Sequence, residues 1–112
     1  MDSGETKRKA KRKDFPYEIK ARFAGQDNYT VLAVKDISAT GMRVIIVRLV
    51  KPGDSFEVKM CIDGRDIQCK GKVAWALLLR PGFARLNSFD VGVEFFEMNT
   101  QDREFLAKLT EQ

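Results

Sequence analysis

The sequence contains no histidine, the side chain that most often serves as a general base or a metal ligand. Its only two cysteines, Cys61 and Cys69, are too few for a zinc site without histidine. The carboxylates Glu57, Asp63 and Asp66 fall at positions typical of solvent-facing strand and turn residues. Glycine-rich loops of the kind that bind nucleotide phosphates are also absent. We therefore predict a protein without catalytic residues, metal or cofactor, and thus not an enzyme.

Long hydrophobic runs are missing as well. No apolar region follows the basic N-terminus as it would in a secretory signal, and no stretch approaches the length of a membrane span. The length of 112 residues fits one domain, and 44% hydrophobic with 32% charged residues is typical of a globular protein. We expect a cytoplasmic domain whose two cysteines are reduced strand residues.

The excess positive charge is confined to the N-terminus. Residues 1–13 contain six basic and two acidic side chains, whereas residues 14–112 contain 14 of each sign. We predict a flexible basic arm over residues 1–13 and a neutral folded body over residues 14–112. Such an arm suits an anionic partner, which could be a nucleic acid, a membrane surface or a phosphorylated small molecule.

Hydrophobicity with a period of two runs through the body and predicts β-strands. Asp63-Gly64 favours a tight hairpin, and Asn99 or Thr100 is suited to capping a short final helix. The predicted strands lie near residues 15–23, 29–35, 42–47, 56–62, 67–75 and 89–96. This pattern predicts a mainly β fold, a six-stranded antiparallel barrel with a short C-terminal helix.

Two polar features interrupt this plan. The first is the segment Asp36-Ile37-Ser38-Ala39-Thr40-Gly41, in which the acid offers acceptors to a guanine edge or to its own turn. Glycine there permits positive φ and a close approach of the backbone to a ligand. The second is the pair Arg8 and Arg12, whose planar forks suit phosphate and the guanine O6 and N7 atoms. Taken alone, an ordinary turn and a solvated basic tail remain alternatives.

The order of these motifs resembles the PilZ domain family. Arg8-x-x-x-Arg12 precedes Asp36-x-Ser38-x-x-Gly41, as in that family's signature pair. The likeness continues in Gly71-Lys72-Val73-Ala74-Trp75 and in Asp90-Val91-Gly92-Val93-Glu94-Phe95, so that it spans nearly the whole chain. The resemblance implies a six-stranded β-barrel followed by a helix, and binding of the second messenger cyclic di-GMP.

The resemblance also implies roles for single residues. Arg8 and Arg12 would clamp phosphate and the guanine Hoogsteen edge, and Asp36 and Ser38 would bond the guanine and the nearby phosphate region. Gly41 would let the backbone come close to the ligand. The arm would order on binding and pass the signal to a protein partner, whose identity stays open.

Lys7 stands where family members often carry arginine. It is a further candidate for ligand binding, but lysine lacks the planar stacking face of arginine. The sequence leaves open whether one ligand or an intercalated pair binds.

Two other functions compete with a cyclic di-GMP receptor: a small nucleic-acid-binding barrel that uses the basic arm, and a PilZ scaffold that has lost its ligand. The neutral body disfavours nucleic acid, and the aromatic residues available for base stacking fall in the register expected for the core. These aromatic residues are Tyr17, Phe23, Phe56, Trp75 and Phe95. The intact motif residues disfavour the scaffold.

The segment at residues 77–86 is apolar for a connection between strands. It predicts either strand ends with a loop packed on the barrel, or a docking surface for a partner or a second copy.

Overall fold

The computed structural model describes residues 17–80 and 87–110, which form one antiparallel sheet and a helix. The strand order in the sheet is β2-β1-β5-β6-β7-β4-β3. The elements are β1 (Glu18–Phe23), β2 (Thr30–Val31), β3 (Ala33–Ile37), β4 (Gly41–Ile46), β5 (Ser55–Ile62), β6 (Arg65–Arg80), β7 (Ser88–Phe96) and α1 (Thr100–Thr110). The predicted arm, with Lys7, Arg8 and Arg12, lies outside the described residues.

The turn between β5 and β6 follows directly from its sequence. Asp63 and Gly64 both have positive φ, 50° and 79°, and they join the paired residues Ile62 and Arg65. Two successive residues with positive φ make the type of turn whose twist matches that of the flanking strands. The predicted Asp-Gly hairpin is confirmed.

The core lies inside the curl of the sheet and is filled by the apolar half of each alternating strand. Ile19, Val58 and Ile67 are each 1% exposed, and the rings of Phe23 and Phe56 lie 4.8 Å apart. The polar half of β1 and β5 faces outward, because successive side chains point to opposite faces of a strand.

One predicted strand is divided in two, so that the described sheet has seven strands. The segment predicted near residues 29–35 breaks at Leu32, whose N–H donates a 2.9 Å hydrogen bond to the Ile19 carbonyl. Its first part, β2, pairs with β1, and its second part, β3, pairs with β4. One segment therefore supplies both edges of the sheet, which forms a curled half-barrel. The predicted mainly β barrel with a C-terminal helix is confirmed.

Helix α1 begins where the sequence predicts. The Asn99 side chain accepts a 2.7 Å hydrogen bond from the Asp102 N–H, as an N-cap residue does. Asp102 pairs with Arg65 at 2.9 Å, and Leu106 is fully buried. Within residues 17–80 and 87–110, no helix has the length and hydrophobicity needed to cross a membrane.

Candidate functional site

The segment Asp36–Gly41 forms the end of β3, a tight turn and the start of β4. The Ser38 N–H donates to the Gly41 carbonyl at 2.8 Å, and the Ser38 hydroxyl accepts from the Thr40 N–H at 3.3 Å. The side-chain hydrogen bonds within this turn therefore all involve Ser38. Asp36 is exposed, and its carboxylate accepts no hydrogen bond from the described residues. In the described chain the hydrogen bonds of this turn do not involve Asp36, so its exposed carboxylate is a candidate for ligand binding.

The structure explains the glycine at position 41 by a contact between strands, which the sequence did not suggest. Its φ is not positive, unlike that of Gly25, Gly53 and Gly64. A Cβ atom at Gly41 would instead overlap the carbonyl oxygen of Val93 on the neighbouring strand β7. The close backbone approach at this position is therefore between β4 and β7.

Four strands carry the candidate site in a single row across the outer face of the sheet. Asp36 on β3 pairs with Arg43 on β4, Arg43 pairs with Gly92 on β7, and Gly92 pairs with Trp75 on β6. Paired residues of neighbouring strands point to the same face. Neighbouring strands lie about 4.8 Å apart, so the row extends about 14 Å from β3, which carries Asp36, to β6, which carries Trp75.

Arg43 is fixed in the middle of the row by a forked ion pair. Its Nε and NH2 atoms donate to the two carboxylate oxygens of Asp90 at 3.0 and 2.7 Å, and Lys35 lies 3.9 Å from the same carboxylate. The Asp90 side chain is 8% exposed. Hydrogen bonding from Arg43 holds the pKa of Asp90 below its ordinary value, against the opposing effect of burial. The site therefore keeps Arg43 charged and oriented.

The prediction that Trp75 belongs to the core is wrong. Trp75 is 40% exposed, whereas Val73 is 1% exposed, because an irregularity between these two residues shifts the register with β7. The Trp75 indole lies over Gly92 so closely that a Cβ atom there would overlap it. The sequence does carry a signal, since glycine inside a strand often marks a bulge or a close approach. Trp75 thus offers an aromatic face in the same row as Asp36. Phe23, Phe56 and Phe95 are buried as predicted.

Helix α1 contacts the Asp36–Gly41 turn. The Arg103 side chain donates a 2.9 Å hydrogen bond to the carbonyl of Ala39, in the middle of the Asp36–Gly41 segment. The Thr40 carbonyl accepts from the Phe95 N–H at 2.9 Å. No sequence pattern links Arg103 to a residue 64 positions away, and sequence reasoning missed this contact.

The described residues offer little for catalysis. They contain no group of three or more Cys, Asp and Glu side chains that could hold a metal ion. Burial raises the pKa of the Cys69 thiol to about 12, and partial desolvation together with the neighbouring Asp66 carboxylate raises the pKa of the exposed Cys61, so that neither is a ready nucleophile. A cavity of about 640 Å³ lies elsewhere, where Lys20 and Lys59 meet Glu18 and Asp66, and none of the described residues that line it is aromatic. The row from Asp36 to Trp75 is the better candidate for ligand binding.

Comparison with solved structures finds the same fold in the Bacillus subtilis inhibitor of motility (MotI/DgrA). The TM-score is 0.62 at 16% sequence identity, over 83% of this chain and 44% of that chain. This chain therefore spans less than half of the length of that protein. No curated protein sequence matches the chain significantly.

The family model described as PilZ domain matches residues 6–112, which include the arm motif, the turn and both downstream strands. PilZ domains are receptors without catalytic activity, in agreement with the absence of histidine and of reactive thiols. The chain belongs to the PilZ domain family.

Proposed function

We propose that the chain is a receptor for cyclic di-GMP, which binds along the outer row between Asp36 and Trp75. Binding of this ligand is typical of the family. The observation that carries the proposal is the placement, in one row, of an exposed indole and of an exposed carboxylate that accepts no hydrogen bond from the described residues. A carboxylate can accept from the N1–H and N2–H₂ groups of guanine, and an indole can stack on a base.

The two arginines of the N-terminal motif complete the proposed site. We assign Arg8 and Arg12 to the phosphates and the guanine Hoogsteen edge, since their planar forks make bidentate, charge-assisted bonds. Ser38 lies within the same turn as Asp36 and supplies a hydroxyl group close to the bound ligand. The signal would be the ordering of the arm by the ligand, read by a protein partner.

Calorimetry with cyclic di-GMP at near-physiological salt tests this proposal. We expect saturable binding that the Arg8→Ala/Arg12→Ala double variant loses. Asp36→Asn should weaken binding by about 10- to 100-fold, since hydrogen bonds to charged groups contribute about 1.5–3 kcal/mol. Asp27→Asn removes an exposed carboxylate from a distant turn and should bind like the wild type.

Fluorescence gives a second readout, because Trp75 is the single tryptophan of the chain. Stacking of a guanine on the indole should change its emission in step with the calorimetric isotherm. Trp75→Phe should keep most of the affinity, whereas Trp75→Ala should lose about 1–3 kcal/mol of binding free energy. Absence of binding heat from the wild type would refute the receptor function, and equal affinity of Trp75→Ala would remove the indole from the site.

A further inference from the structure

Strand β6 extends well beyond its neighbour on one side. It has 16 residues, but β5 pairs with its first half only, from Arg65 to Lys72. Val73 still bonds to the loop before β5, donating to the Asp54 carbonyl and accepting from the Gly53 N–H, both at 2.8 Å. From Ala74 to Arg80, its pairing partner among residues 17–80 and 87–110 is β7 alone. The opposite edge of this part of β6 therefore has no backbone partner in the described chain.

The side chains along this edge are apolar and exposed. Leu77, Leu78 and Leu79 belong to the end of β6 and are 61%, 52% and 48% exposed, whereas residues 81–86 of the apolar segment lie outside the described residues. The run Ala74-Trp75-Ala76-Leu77-Leu78-Leu79 contains no charge, proline or glycine. Proteins usually protect an edge strand with charges, proline or a cover, since its free N–H and C=O groups can pair with another chain.

We propose that the edge Ala74–Leu79 pairs antiparallel with the same edge of a second copy of this chain, about a two-fold axis. The N–H and C=O groups that no described strand pairs fit an extended strand, and the uncharged leucine-rich run fits an apolar, uncharged strand beside it. This segment meets both requirements itself, and a two-fold axis places it against its own copy.

Other described strands fit this edge less well. The edge strands of the described sheet are β2, which has two residues, and β3, which carries Lys35 and Asp36. Strand β2 is too short to cover this edge and β3 would bring charges against the leucines, whereas a second copy brings leucine against leucine. The pairing does not depend on any ligand, so it can fail or hold independently of the proposed receptor function.

Sedimentation equilibrium over a series of protein concentrations, without ligand, tests the pairing. We expect a reversible monomer–dimer equilibrium for the wild type. In Leu77→Lys/Leu79→Lys, like charges would face each other across the pair, and the dissociation constant should rise at least tenfold. The matched control is Val47→Lys/Leu49→Lys, which adds the same charge outside this edge. Val47 and Leu49 are 56% and 83% exposed.

Amide hydrogen exchange shows whether backbone pairing is responsible. Half of the amides between Trp75 and Leu79 should exchange more slowly as the wild type associates, and this protection should vanish in Leu77→Lys/Leu79→Lys. Thermal unfolding of both variants checks that the barrel remains folded.

Four results would overturn the proposal. The first is a wild type that stays monomeric at every concentration. The second is a dimer that both lysine variants weaken equally, and the third is a dimer without added protection at Trp75–Leu79. The fourth is a monomer in which these amides are already protected, since another segment of the same chain would then cover the edge.

Discussion

At the scale of single residues, Gly41 and Gly92 each lie so close to a neighbouring group that a side chain would overlap it. The neighbouring group differs between the two positions. A side chain at Gly41 would meet the backbone of β7, and one at Gly92 would meet the indole of Trp75. Backbone held in a sheet cannot move aside cheaply, whereas a partly exposed ring can turn away. The two positions should therefore respond differently to the same substitution.

We predict that Gly41→Ala lowers the free energy of unfolding by about 1–3 kcal/mol, the usual cost of overpacking. Gly92→Ala should cost clearly less, but it should change the emission of Trp75, the single tryptophan, by displacing it from the strand. Urea unfolding and emission spectra of both variants measure these effects. An equal loss of stability in Gly92→Ala and Gly41→Ala would contradict the idea that the Trp75 ring moves aside more easily than the backbone of β7.

The ion pair of Arg43 and Asp90 should make stability depend on pH. The folded state lowers the pKa of Asp90 below its ordinary value of 3.8, with hydrogen bonding from Arg43 as the largest cause. A lowered carboxyl pKa contributes stability that is present above the ordinary value and is lost as pH falls through the folded value.

Asp90→Asn should therefore be less stable than the wild type near neutral pH and should lose less stability on acidification. Urea unfolding at a series of pH values below about 5 measures this difference. Asp27→Asn, at an exposed turn, should retain the acid sensitivity of the wild type. Parallel stability curves for Asp90→Asn and the wild type would argue against a role of this pair.

At the scale of elements, the Arg103 side chain joins helix α1 to the Asp36–Gly41 turn. The helix is itself anchored by the pair of Asp102 with Arg65 and by buried Leu106. The helix therefore provides a fixed base from which the guanidinium group holds the Ala39 carbonyl. Loss of this bond should loosen the turn that carries Asp36 and Ser38.

We predict that Arg103→Ala weakens cyclic di-GMP binding several-fold and speeds amide exchange at Ser38 and Thr40, and that Arg103→Lys restores part of both. Glu104→Gln, an exposed change on the same helix, is the control and should alter neither quantity. The exchange measurement needs no ligand, so it separates a loose turn from a failure of the proposed function. Unchanged exchange in Arg103→Ala would show that the turn holds itself.

The limits of sequence-based prediction also lie at this scale. Strands β1 and β5 follow from strict alternation, and the Asp63-Gly64 hairpin follows from its residue types. The face of Trp75 does not, because one added residue after Val73 moves the side chains from Trp75 to Leu78 to the other face, up to a second irregularity before Arg80. The exposure of Leu77 does not follow from the sequence either. It depends on the residue of β6 at which pairing with β5 ends, and the arrangement of the whole sheet sets that residue. The motifs predicted Asp36 and Ser38 as candidates, but not the row that Asp36 forms with Arg43, Gly92 and Trp75.

At the scale of the whole molecule, the charge distribution separates the competing ligands. Residues 14–112 are neutral, and six basic side chains lie in residues 1–13. Cyclic di-GMP carries two phosphates, so the logarithm of its affinity should fall with the logarithm of salt concentration with a slope no steeper than about 2. Binding of all six basic side chains to duplex DNA would give a slope of about 5.

We expect the shallow dependence when cyclic di-GMP affinity is measured by Trp75 emission at several salt concentrations. The same protein should bind duplex DNA weakly at physiological salt. Tight DNA binding with the steep slope, together with no response to cyclic di-GMP, would favour the nucleic-acid function instead.

The segment from Thr30 to Ile37 has a mechanical consequence. It is hydrogen-bonded to β1 at one end and to β4 at the other, so it links two strands that are separated by three other strands in the sheet order. A force that pulls on Asp36, near one end of this segment, is carried through Leu32 to the backbone of Ile19. Strand β1 begins at Glu18, where the chain arrives from the basic N-terminus. The two halves of the family's signature are thus connected by a path of covalent and hydrogen bonds as well as by any shared ligand.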